Sequence, residues 1–220
     1  MRRAPSRTCT KHCSISDVDF EEVVRRRRMV RNYVDAPVDE AVLARILDRA
    51  SRGPSAGFSQ GVSFVAVTDE GTRREIARLA GEDEFVRQGF DPWISRAPVH
   101  VMICVRQGAY LERYREADKG GEDGPKGSED GWPIPYWWVD GGASMMLLLL
   151  SAVDEGLAAG FLGAHNIEAI EELLGIPEDV SPVGIVTVGH PAPDRRSGSL
   201  ARGRRNDTVR RERWDSNVED

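Results

Sequence analysis

Cysteine is scarce in this sequence: three residues, an odd number, with Cys104 inside an apolar run. That argues against a disulfide framework and for a reducing compartment. Long apolar stretches are missing as well. The longest, MMLLLLSAV at 145–153, is too short to span a bilayer and reads as a buried helix. The first sixteen residues lack the apolar stretch of a secretion signal and have no periodicity, so 1–16 is expected to be a disordered tail. The expectation is a soluble, cytoplasmic protein that meets no membrane.

Equally absent are the signatures of most self-sufficient catalysts: P-loop, G-x-G-x-x-G after a strand, G-x-S-x-G and H-E-x-x-H. The four histidines, at 12, 100, 165 and 190, are scattered, and His100 and His190 lie within or beside apolar strands, where packing explains them. Cys9, His12 and Cys13 sit close together, but no second ligand pair with finger-like spacing follows, so no metal site is expected. No nucleophile stands beside a base. An enzyme with this sequence has to take its chemistry from a bound cofactor.

Lysine is nearly absent, which leaves arginine to carry the positive charge. The net charge is -6 and the pI near 5.4, which argues against a general polyanion-binding surface, nucleic acid included. Yet arginines crowd both ends, in RRRRMVRNY (25–33) and RGRRNDTVRRERW (202–214). Arginine suits fixed, bidentate contacts to phosphate. A solvated helix end explains the first run too: DVDFEEVVRRRR opens on Asp17 as an N-cap candidate, with acid in its first turn and base in its last.

A chain of 220 residues is long enough to bury a single large core. DEAVLARILDRAS repeats helical spacing at Val42, Leu43, Ile46 and Leu47 until GPSAG breaks it. VSFVAVTD, VHVMICVR and GIVTVGH are β-rich runs of strand length, separated by helical segments such as GTRREIARLA. Helices layered on a sheet follow. In 107–131 a short helix candidate bearing Tyr110 and Tyr114 leads into KGGEDGPKGSEDG, a mobile surface loop, then to Trp132, Tyr136, Trp137 and Trp138 just before the apolar helix. Gly141, Gly142 and Ala143 would let another backbone approach that helix. In HNIEAIEELLGIPEDV, Asn166 serves as N-cap, Leu173 and Leu174 face inward, and Gly175 stops the helix. Beyond Pro193 an extended arm is expected. PSAGFSQ (54–60) is a small loop that can turn backbone N–H groups and Ser55 or Ser59 toward a polar ligand.

Taken in order, four stretches resemble the FMN-dependent nitroreductase family: RRMVRNY at 27–33, PSAGFSQGV at 54–62, GLAAGFLGAH leading into the helix–LGIPE–strand unit at 156–191, and RGRRNDTVRRERW at 202–214. The resemblance spans nearly all of the chain from residue 17. It implies an α+β class, three-layer α/β/α fold with a central mixed sheet in a swapped-arm homodimer. One FMN-binding domain over 17–215 would carry a lid insertion at 107–135. FMN would be the cofactor, NAD(P)H the reductant, and a small molecule the substrate.

Residue by residue, the resemblance puts Arg27, Arg28, Met29 and Arg31 on the family's FMN-contacting positions, Arg27 near the phosphate and Arg31 near the pyrimidine edge. Pro54, Ser55, Ala56 and Gly57 would contact the cofactor from the partner subunit, and Ser59 is a further cofactor-binding candidate. Leu162, Gly163 and Ala164 would bring a backbone N–H to flavin N5, and Arg202 and Arg204 would complete a phosphate clamp. Three departures reshape the pocket: Met29 stands where serine is common, Phe58 replaces asparagine, and Gly61-Val62 replaces Pro-Trp. Phe58, Tyr136 and Trp137 are the substrate-facing candidates, with core or dimer packing of the tryptophans as the alternative. The activity implied is hydride transfer from NAD(P)H through flavin N5 to an aromatic nitro or quinone-like acceptor, with no catalytic side chain. An oxidase or dehydrogenase of a small cyclic or aromatic metabolite, a deazaflavin-binding relative and a non-catalytic flavin-binding protein are the alternatives.

Overall fold

The computed structural model describes residues 19–120, 125–163, 166–205 and 208–214. In chain order come α1 (Phe20–Arg26), α2 (Glu40–Ala50), β1 (Val62–Val67), α3 (Glu70–Leu79), α4 (Glu82–Arg87), α5 (Trp93–Arg96), β2 (Val99–Val105) and α6 (Gln107–Tyr114). Then follow α7 (Tyr136–Asp154), β3 (Ala158–Leu162), α8 (Ile167–Leu174) and β4 (Ser181–Gly189). The expected tail, with Cys9, His12, Cys13 and Asp17, lies outside the described residues.

Local chemistry accounts for the helices. At the start of α2 the Asp39 carboxylate accepts the N–H groups of Ala41 (2.9 Å) and Val42 (3.2 Å), and Leu43, Ile46 and Ala50 form its buried stripe. Asp69 caps α3 through the Thr72 N–H at 2.8 Å. Asp19 takes the N-cap position of α1, which carries acid in its first turn and base in its last as expected. Gly175, at φ 62°, closes α8 in the left-handed conformation that glycine adopts without strain. Asn166 takes the N-cap position of that helix, without a side-chain cap hydrogen bond. It sits at φ 49°, and its side-chain amide donates to the Leu79 carbonyl at 3.1 Å. Leu173 is not inward: it is 39% exposed, and Ile170 is the fully buried residue of α8.

The sheet has the order β1-β2-β4-β3, every neighbouring pair antiparallel. Ahead of α2, the chain adds a parallel bridge from Met29 to Ala159, so the sheet is mixed only at that edge. Two cores cover its faces. One joins Ile76, Trp93, Ile94 and Ile170 of α3, α5 and α8 to Met102 and Ile185; the other joins Ile46, Leu148 and Leu149 of α2 and α7 to Val101 and Val186. This is the α/β/α layering. Among the described residues α7 alone is long and apolar enough to cross a membrane, and half of that stretch is buried inside the protein, as in a core helix.

Two buried titratable groups take no visible part in any cleft. Cys104 is a buried free thiol whose pKa burial raises to about 11, which leaves it protonated and unreactive. His100 is also buried, with Nε2 2.7 Å from the Ile94 carbonyl and Nδ1 without a partner. Burial lowers its pKa to about 4. The unfolded chain therefore takes up a proton near pH 6.5 that the folded chain refuses, and stability falls as pH drops from there toward 4. Between pH 7 and pH 5 the expected loss at this site is about 2 kcal/mol. Urea unfolding at the two pH values should show that difference in the wild type and a smaller one in His100→Gln.

Candidate functional site

The arginine run does not stay on a helix. α1 ends at Arg26, and the following residues run extended along the open edge of β3, where the Val30 N–H donates to the Ala159 carbonyl at 3.0 Å. Gly160 makes this approach feasible: a Cβ there would lie 2.5 Å from the Val30 carbonyl oxygen and 3.2 Å from the Tyr33 hydroxyl. Tyr33 locks the segment down, its buried hydroxyl 2.7 Å from Thr187 Oγ1, with its pKa pushed up by burial.

A second clasp comes from the segment after β4. Asp194, with only 3% of its side chain exposed, pairs with Arg28 at 2.6 Å and accepts the Arg31 N–H at 3.0 Å. Asn32 donates to the Pro193 carbonyl at 2.9 Å. The Arg31 guanidinium lies over the rings of Phe90 (5.9 Å) and Trp93 (6.0 Å). Trp93 is held in turn by Glu82, whose buried carboxylate caps the short α5 through the N–H groups of Ile94 and Ser95.

These contacts open a cleft of about 700 Å³. Met29, Val30, Val153, Leu157, Ala158 and Leu200 give it apolar walls, and Arg25, Arg26, Arg27, Arg28, Arg31, Arg196 and Arg204 give it charge. Arg25 is tied to Glu22 and Arg28 to Asp194, but Arg26, Arg27, Arg196 and Arg204 have no ion-pair partner among the described residues. The nearby carboxylates Asp154 and Glu155 are taken by Arg49 and Arg45. Apolar walls beside uncompensated guanidinium groups suit a flat heteroaromatic ring that carries a phosphate.

The structure thus brings Arg27, Arg28, Met29, Arg31 and Arg204 together. Arg202 is exposed and does not line the cleft. Leu162 is 4% exposed and belongs to the core, about four residues along β3 from the cleft-lining Ala158, roughly 13 Å at strand spacing. Gly163 follows it, and Ala164 lies outside the described residues.

Pro54–Ser59 lies elsewhere, against α6 and the first turns of α7. The buried Asp140 carboxylate accepts the Ala56 N–H and the Tyr110 hydroxyl, each at 2.8 Å, and Arg113 donates to the Gly57 carbonyl at 2.9 Å. Asp118 beside Arg113 is held down near pKa 2 by that guanidinium. Both serines are engaged within the loop: Ser59 donates to the Ala56 carbonyl at 2.6 Å and Ser55 Oγ accepts the Gln60 N–H at 2.8 Å. Gly57 (φ 64°) and Phe58 (φ 58°) are both left-handed. Phe58, which lacks glycine's freedom, is thereby presented 73% exposed on a braced loop.

Trp137 corrects the stacking expectation. It is 4% exposed, its ring 6.0 Å from Tyr110 and 5.8 Å from Trp132, and it packs as a core residue. Tyr136, at 40%, remains open. Gly141 answers the small-residue pattern: a Cβ there would lie 2.8 Å from Val105 and 3.0 Å from Val183, so the close approach is to the sheet. Sequence reasoning missed Asp194, Arg196 and Glu82. Nothing in a single carboxylate signals a clasp, and APDRRSG resembles a solvated arm.

Tyr136 and Val153 stand at opposite ends of α7, about 25 Å apart along its axis. The arginine cleft and the Phe58 loop are therefore separate within one chain.

The family model described as Nitroreductase family matches residues 24–190. FMN reductase (NAD(P)H) of Bacillus subtilis is 29% identical over 75% of this chain and 63% of its own length. An NADPH-dependent oxidoreductase of Staphylococcus aureus is 23% identical, over 82% and 68% respectively. Among solved structures, B. megaterium NfrA1 superposes with a TM-score of 0.68 at 22% identity, covering 90% of this chain and 76% of its own. A nitroreductase family protein from Streptococcus pneumoniae does so at 0.62 and 22%, covering 81% and 94%.

Proposed function

The chain belongs to the nitroreductase family, and from that premise we propose that it is a cytosolic FMN-dependent oxidoreductase that uses NAD(P)H to reduce aromatic nitro or quinone-like small molecules. The observation that carries the reading is the cleft, in which arginines without an ion-pair partner among the described residues stand over apolar walls. Its relatives named for FMN reduction and NADPH-dependent oxidoreduction support it. Bound FMN would supply hydride acceptance and donation.

The chain's own residues hold and shield. Arg27 and Arg204 take the phosphate. Arg31, braced on Phe90 and Trp93, would offer a fixed positive charge to the pyrimidine edge of bound FMN. Met29, Val30 and Leu157 keep water from the ring face. No side chain need act as acid, since solvent can deliver protons to the reduced acceptor.

The substrate side of the pocket comes from a second copy. A two-fold axis across α7 sets the Tyr136 end of one helix against the Val153 end of the other, joining each arginine cleft to a partner Phe58 loop. Val139 (50% exposed) and Met146 (42%), seven residues apart, give α7 an outward apolar stripe for that contact. Phe58 and Tyr136 then become the aromatic surfaces that meet a flat acceptor, and the 107–135 insertion its lid. Met146→Asp is expected to convert a dimer into a monomer by light scattering and to cost most of the bound flavin.

A visible spectrum before and after anaerobic NADPH tests the function. Flavin bands that bleach and then return with a quinone support it; a colourless protein that takes up no FMN overturns it.

A further inference from the structure

More charge converges on the cleft than one cofactor phosphate uses. A phosphate monoester carries about two negative charges at neutral pH, which Arg27 and Arg204 balance on the reading above. Arg26 and Arg196 remain on the same cleft, both exposed and both without an ion-pair partner among the described residues. Nearby acid is already engaged: Glu22 by Arg25, Asp194 by Arg28, Asp154 and Glu155 by Arg49 and Arg45. Two further uncompensated guanidinium groups lining one cleft raise its positive potential, which a second dianion would lower. Ser197 beside Arg196 also lines the cleft, but its hydroxyl is engaged, donating to Ser199 Oγ at 3.1 Å and accepting the Ser199 N–H at 3.3 Å.

We propose that Arg26 and Arg196 form a second phosphate subsite, that it takes the 2′-phosphate of NADPH, and that it makes NADPH the preferred reductant over NADH. The inference rests on the reading of the cleft as the flavin site, and it names the dinucleotide that reading left open. The pyrophosphate is common to both nucleotides and cannot select between them. The 2′-phosphate is the charge they do not share. Exposure leaves both free to meet a solvent-facing group: Arg26 and Arg196 are exposed, as Arg204 is, whereas Arg27 is half-buried. Arginine's planar fork matches the oxygens of a phosphate monoester bidentately.

The test is a calorimetric titration of the purified full-length protein with adenosine 2′,5′-bisphosphate and, separately, with 5′-AMP. The bisphosphate is expected to bind at least about tenfold tighter, and Arg26→Gln and Arg196→Gln are each expected to remove about tenfold of its affinity, the value of one charge-assisted contact. In steady-state assays the ratio of kcat/KM for NADPH to that for NADH should fall by the same factor in each variant. A folding defect would lower both substrates alike and leave the ratio unmoved. Equal binding of the two nucleotides, or an unchanged ratio in the double variant, overturns the subsite. Failure of the wild type to take up FMN would sink the functional reading instead, and because the titration needs no flavin it still decides whether the second phosphate is recognised.

Discussion

The double substitution Arg27→Ala/Arg204→Ala is expected to weaken FMN binding by a hundredfold or more while leaving riboflavin binding nearly unchanged. Each charge-assisted hydrogen bond to phosphate contributes about 1.5–3 kcal/mol. Removing two of them at once corresponds to roughly a hundredfold at the least. Neither arginine has an ion-pair partner among the described residues, so their removal leaves no buried counter-charge behind and the thermal midpoint should barely move. Fluorescence quenching titrations with the two flavins measure the effect. Equal weakening toward both would show that the arginines shape the cleft and do not hold the phosphate. Arg28 offers the contrast. Its partner Asp194 is almost fully buried, and Arg28→Ala would strand that carboxylate, at a cost of about 3 kcal/mol of stability. One run of arginines thus holds a ligand-facing member and a structural one, two positions that composition does not tell apart.

Gly160→Val should be among the most damaging single changes on the sheet. The first added carbon alone falls 2.5 Å from the Val30 carbonyl and 3.0 Å from Thr187 Oγ1, and branching crowds both sides. Overpacking of this kind costs about 3 kcal/mol, and here the nearest contact is backbone, which cannot rotate aside. The strain is expected to push residues 29–31 off the β3 edge, so flavin affinity should fall together with the denaturation midpoint. Gly160→Ala should show both effects at smaller size. Normal flavin binding in a stably folded Gly160→Val protein would mean that the 29–31 segment does not depend on β3 for its position.

Several elements were legible because their signals are local. The Val42–Leu47 pattern announces a buried face, and VHVMICV has the β-branched density of a strand. β3 was not legible. Its AAGFL carries a glycine and two alanines with little strand preference of their own, and pairing with β4 on one side and residues 29–30 on the other makes it a strand. The short α5 is similar, since its cap is Glu82 from a different helix. Trp137 shows the limit for side chains: WPIPYWW reads equally as platform or core until Tyr110 and Trp132 are seen closing over one ring while Tyr136 stays outside.

By itself the sequence determined the family, the absence of self-contained catalytic machinery, and the concentration of arginine in the segments that form the cleft. Those are properties of residue type and order. Tertiary structure decided which arginines are free. Arg28 is balanced by Asp194, Arg31 rests on two aromatic rings, and Arg26, Arg27, Arg196 and Arg204 converge from opposite ends of the chain with no ion-pair partner among the described residues. Coulomb energy depends on distance and burial, and for residues more than 160 positions apart only the fold sets either.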